Sequence, residues 1–124
     1  MNEKTISFQL TEEEARNLDN LYLTNKSLAS QMNVLKQLAT MSEDSILYYI
    51  NTLVEELFKT PDQLTKYLKA IIKQDMPVNI LINFLKVLYE CRVKIDEYEV
   101  FRKHALVVFN KANIEHEVVL KGFI

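Results

Sequence analysis

Apolar and polar residues alternate strictly near the start of the chain. Ile6, Phe8 and Leu10 fall on one side and Thr5, Ser7 and Gln9 on the other, which is the period of a half-buried strand. The period changes at Thr11, whose side-chain oxygen is placed to cap a helix. Glu14 completes a capping box with it, and Glu12 and Glu13 suit the positive first turn, so a helix is predicted to begin at Glu12. Leu18, Leu21, Asn25, Leu28, Met32, Leu35 and Ala39 then follow three and four apart, the spacing of a coiled-coil seam. No glycine or proline lies between Glu12 and Thr40, so the pattern predicts one continuous helix, with Asn25 as the polar seam residue that sets register. Flanking positions such as Asn17, Tyr22, Ala29 and Gln31 are uncharged, which leaves open whether the seam joins a homodimer or packs inside its own chain.

Four further helices are predicted. Thr40 or Ser42 caps one that carries Ile46, Ile50, Leu53 and Leu57 on a single stripe. Thr60, Pro61 and Gln63 start the next, with proline at the first helical position and a Thr-x-x-Gln capping box; Leu64, Tyr67, Leu68, Ile71 and Ile72 form its inner face. Pro77 opens VNILINFLKVLYECR, apolar around most of its circumference and therefore predicted to be central. Ile95, Asp96, Glu99 and Val100 begin the last helix, with Phe101, Ala105, Val108, Phe109 and Ala112 facing in and an end near Asn113. The β-branched tail IEHEVVLKGFI predicts a short strand that could pair with residues 6–10. The expected fold is thus mainly α: a bundle of about five helices with a long N-terminal helix and short strands at both ends. A single domain is expected over 1–124, made of a strand and long helix (1–40), a helical bundle (41–113) and a strand-like tail (114–124).

Composition narrows the class. Glycine occurs once and proline twice in 124 residues, too few turn formers for an all-β chain, and 48% apolar residues supply a core. The formal net charge of −2 lacks the basic footprint of most nucleic-acid-binding domains. Residues 1–60 hold five Lys/Arg against nine Asp/Glu and residues 61–124 ten against eight, so the mild positive charge lies in the second half. The lone Cys91 excludes an internal disulfide, and charged residues interrupt every apolar run, so a cytoplasmic protein with no membrane segment or signal peptide is expected. The Lys, Asn, Ile and Tyr content is what an AT-rich genome encodes, which points to a low-GC bacterium, phage or plasmid as source.

The chemistry-bearing residues form no recognisable constellation. His104, His116 and Cys91 lack metal-ligand spacing, and Cys91 sits on the most apolar helix, where a thiol serves as a small hydrophobe. The acidic group Glu12 to Glu14 is explained by its place in a first helical turn. One glycine cannot build a phosphate loop or a nucleophile elbow. No catalytic residue, metal or cofactor is therefore expected. Tyr48 and Tyr49, adjacent on one helix, cannot both point inward, and an exposed tyrosine suits a protein interface.

Residues TISFQLTEEEARNLDNLYLTNKSL also resemble the start of a ribbon-helix-helix DNA-binding protein, the likeness covering about residues 5–40. The resemblance implies a strand, a capped helix of about thirteen residues, a break near Asn25, Lys26 and Ser27, and a second helix. It implies a dimer whose paired strands lie in the major groove, with Thr5, Ser7 and Gln9 facing bases and Ser27 capping the second helix near a phosphate. The chain departs from the pattern in having no Arg or Lys on the strand's reading face and no glycine in the turn. The leading expectation is a non-enzymatic helical module that binds another protein as adaptor, inhibitor or regulatory subunit. The alternative is a dimeric DNA-binding regulator or plasmid accessory protein.

Overall fold

The computed structural model describes residues 9–90 and 98–111. Six helices account for most of them: α1 (Glu12–Thr24), α2 (Leu28–Leu38), α3 (Glu43–Leu57), α4 (Pro61–Lys73), α5 (Val78–Tyr89) and α6 (Tyr98–Lys111). They pack around one apolar core to which every helix contributes, α1 least, with Leu18 as its only buried residue.

Capping chemistry explains where the helices start. Thr11 Oγ1 accepts from Glu14 N at 3.0 Å while Glu14 Oε1 accepts from Thr11 N at 2.9 Å, a complete capping box. Ser27 accepts from Ser30 N at 3.1 Å, and Ser42 from Ser45 N at 3.2 Å. At α4 the Thr60 hydroxyl makes no capping bond, contrary to the expected Thr-x-x-Gln box; Pro61 at the first helical position, which has no N–H to satisfy, supplies the start instead. Helix α5 is the central element: Ile80, Leu81, Phe84, Leu85 and Leu88 are fully buried, and it packs on both α3 and α6. Asn79 ties it to the end of α2 by donating from Nδ2 to the Ala39 carbonyl at 2.9 Å.

Two expectations are overturned. The long helix predicted over 12–40 is two helices, so the described residues contain six rather than about five. The chain turns at Asn25 to Ser27 because bending lets both halves of the seam face one core: Leu18 packs from α1, and Met32 and Leu35 from α2. A straight rod would carry one half away from α3 and α5. The second correction concerns the strands. No strand is present among the described residues; Gln9 and Leu10, the last residues of the predicted N-terminal strand, run as irregular backbone into Thr11. Leu10 instead packs its side chain against the helical core, and no neighbouring strand satisfies a ladder there. The remainder of that strand (5–8), the predicted C-terminal strand within 114–124, and Cys91, Ile95 and Asp96 lie outside the described residues.

Candidate functional site

The bend between α1 and α2 is held by polar side chains rather than by glycine. Asn25, which ends α1, donates from Nδ2 to the Leu21 carbonyl at 2.9 Å, and its own carbonyl accepts from Gln31 Nε2. Lys26 places its ammonium 4.6 Å from the centre of the Tyr22 ring. Gln31 is 3% exposed, and its Oε1 accepts from the Tyr49 hydroxyl at 2.8 Å and the Tyr67 hydroxyl at 3.3 Å. One buried amide therefore joins the α1–α2 turn to α2, α3 and α4. A buried amide without partners costs more than a hydrogen bond returns, so this connectivity makes the bend the only comfortable conformation for Gln31 inside the monomer.

The two tyrosines titrate accordingly. Burial pushes the Tyr49 phenol up to about 12, with the bond to Gln31 pulling the other way. Burial raises Tyr67 further still, and the neighbouring Tyr49 and Tyr22 add to the effect. In the unfolded chain both ionise near the ordinary phenol value of about 10. A folded-state value above the unfolded one means that their contribution to stability is complete below pH of about 10 and is lost as pH rises towards about 12. Thermal midpoints should therefore fall as pH rises from about 10 towards about 12, and Tyr67→Phe should flatten that decline.

Apart from this hub, a cleft of about 500 Å3 lies between α1 and the start of α3. Leu18, Leu21 and Met41 form its apolar floor, and Glu14, Asn17, Ser42 and Ser45 its polar wall. Met41 is 42% exposed, an unbranched side chain able to repack against an incoming group. The first turns on either side are acidic, with Glu12, Glu13 and Glu14 on α1 and Glu43 and Asp44 on α3. Of these, Glu43 is paired with Lys86 at 2.7 Å. A second cleft, of about 390 Å3, lies between the α4–α5 connection and α6, and His104, Asp75 and Lys111 are among the residues that line it. Partial burial, and then the charge of Lys111, lower the His104 pKa.

The residues singled out from the sequence are distributed as follows. Leu18, Met32 and Leu35 are buried in the chain's own core, Leu21 and Asn25 are half-buried, and Leu28 is 43% exposed beside the bend. Most of the seam is thus occupied within one chain. Tyr49 points inward to Gln31, whereas Tyr48 is half-buried and donates from its hydroxyl to Asp19 at 3.0 Å, tying α3 to α1. Gln9 is exposed just before α1, Ser27 caps α2, and Thr5 and Ser7 lie outside the described residues. Sequence reasoning missed Gln31 and Met41. Gln31 was legible only as a polar residue beside the seam, and Met41 only as a connector between helices. Among the described residues no group of three or more His, Cys, Asp or Glu side chains comes together, and no helix is long and apolar enough to cross a membrane. No family model, curated protein or solved structure matches this chain.

Proposed function

We propose that this chain is a non-catalytic helical module of the cytoplasm that binds another protein through the cleft between α1 and α3. The observation that carries the reading is the cleft's make-up: an apolar floor of Leu18, Leu21 and exposed Met41, with Glu14 in its wall and the acidic first turns of α1 and α3 as the margin on either side. Such a floor accepts one or two apolar side chains, and the margin selects a partner segment that is cationic around them. A basic amphipathic helix has that chemistry. The test is affinity capture from the source cell with the wild-type chain, Met41→Glu, and Leu23→Glu as control, since Leu23 is exposed but does not line the cleft. A species retained by wild type and Leu23→Glu but lost with Met41→Glu supports the reading. Identical capture by all three removes it.

The bend at Asn25 to Ser27 favours a second reading, as a ribbon-helix-helix-type DNA-binding regulator. Helix α1 has 13 residues, and Ser27 caps α2, the arrangement that the resemblance implies. On this reading Thr5, Ser7 and Gln9 face bases and Ser27 lies near a phosphate. Duplex DNA at low salt should then be retarded in a gel, with affinity falling steeply as salt is added and lost in Gln9→Ala. Absence of any shift at low salt disposes of it.

A further inference from the structure

The bend that divides α1 from α2 stands on side-chain caps in a stretch whose seam spacing never breaks. Leu21, Leu28 and Leu35 keep their seven-residue period straight through Asn25 to Ser27, and neither glycine nor proline occurs there. Asn25 and Ser27 are residue types that either cap a helix or sit within one, according to whether their side chains or the next turn of backbone satisfy the local N–H and C=O groups. Helix α1 is also separable from the rest. It packs chiefly on α3, through buried Leu18, the Tyr48–Asp19 bond at 3.0 Å and an edge-to-face contact of Tyr22 with Tyr49 at 6.0 Å. Beside the bend, Leu28 presents an apolar seam side chain that is 43% exposed.

We infer that two copies of this chain exchange α1: residues 12–38 straighten into one helix, and α1 of each copy packs on α3 of the other. The partner is a second copy because only α3 of this same sequence reproduces the Leu18, Asp19 and Tyr22 contacts that α1 makes in the monomer. The exchange keeps those contacts, replaces the caps at Asn25 and Ser27 with continuous helical hydrogen bonds, gives up the Gln31 Nε2 bond to the Asn25 carbonyl, and buries Leu28 and Asn25 where the two straightened helices cross. A short hinge and a conserved set of contacts make such exchange a low-cost route to a dimer. It concerns the assembly of the chain and stands apart from the choice between protein and DNA as ligand.

Leu28→Pro separates the two forms. Proline is accepted at the first position of α2, and it requires an extended residue before it, which Ser27 already is at ψ 155°. The same proline stops a helix running from α1 into α2. Size-exclusion chromatography with light scattering should show a wild-type dimer whose fraction grows with concentration up to the millimolar range. Leu28→Pro should be monomeric with unchanged helical content, and Ser27→Ala, which loses the cap and gains helix propensity, should hold several-fold more dimer. A second measurement uses Asp19→Cys with Tyr48→Cys in a Cys91→Ser background. A bismaleimide should link the two positions between chains in the dimer fraction and within one chain in the monomer fraction. A wild type that stays monomeric throughout, a dimer undiminished by Leu28→Pro, or intrachain links in the dimer fraction would each overturn the inference.

Discussion

Gln31→Ala is expected to lower the free energy of unfolding by roughly 4 kcal/mol, enough to be one of the most damaging single changes in the chain. The substitution leaves the Tyr49 and Tyr67 hydroxyls, both on buried residues, without their acceptor. It also frees the Asn25 carbonyl at the bend. Each buried polar group stripped of its partner costs on the order of 1–3 kcal/mol, and the missing side chain leaves a small void besides. The thermal midpoint should drop by roughly 15 °C, by the usual scaling of stability with midpoint for a chain of this size. Urea unfolding followed by circular dichroism measures the change. The decisive comparison is the triple variant Gln31→Leu, Tyr49→Phe, Tyr67→Phe. Removing donors and acceptor together abolishes the desolvation penalty, so the triple variant should recover much of the loss. A triple variant no more stable than Gln31→Ala would show that the hub contributes through shape alone.

Phe84→Ala should cost about as much, roughly 4 kcal/mol, by a different mechanism. Phe84 is fully buried on α5, with ring centroids 6.3 Å from Tyr67 and 6.1 Å from Phe101, so its ring connects α4 to α6 through the centre of the molecule. Truncation removes the transfer energy of the ring and leaves a cavity that neighbouring rigid helices cannot close. Aromatic contacts add about 1 kcal/mol beyond area. Against a total stability on the order of 5–15 kcal/mol, that loss can leave the protein partly unfolded at growth temperature. Phe84→Leu, which keeps most of the volume, should lose less than half as much. Chemical denaturation of the three proteins side by side decides the matter, and equal losses for Ala and Leu would mean that ring contacts rather than cavity volume dominate.

The helix starts were legible because caps act locally. Thr11 with Glu14, Ser42, and Pro61 at the first helical position mark their helices without reference to the rest of the chain. The inward faces were legible for a similar reason: burial follows helical periodicity, and Ile46, Ile50, Leu53, Leu64, Tyr67, Leu68 and Ile71 are buried as their spacing requires. The α1–α3 cleft was not legible. Its floor joins Leu18 and Leu21 to Met41, and no local rule says which helix lies beside α1.

The bend marks the same boundary most sharply. Periodicity specifies which residues of 12–39 face the core, and it remains satisfied whether the helix axis continues or folds back, because both halves of a bent seam still point inward. Local rules therefore account for the helices, their caps and their apolar faces. Whether Asn25 lies within a helix or ends one depends instead on partners far along the chain: Gln31 reaches back to it while holding Tyr49 and Tyr67. The bend is set by a buried amide that must be satisfied in three directions, and that condition exists only once α2, α3 and α4 have come together.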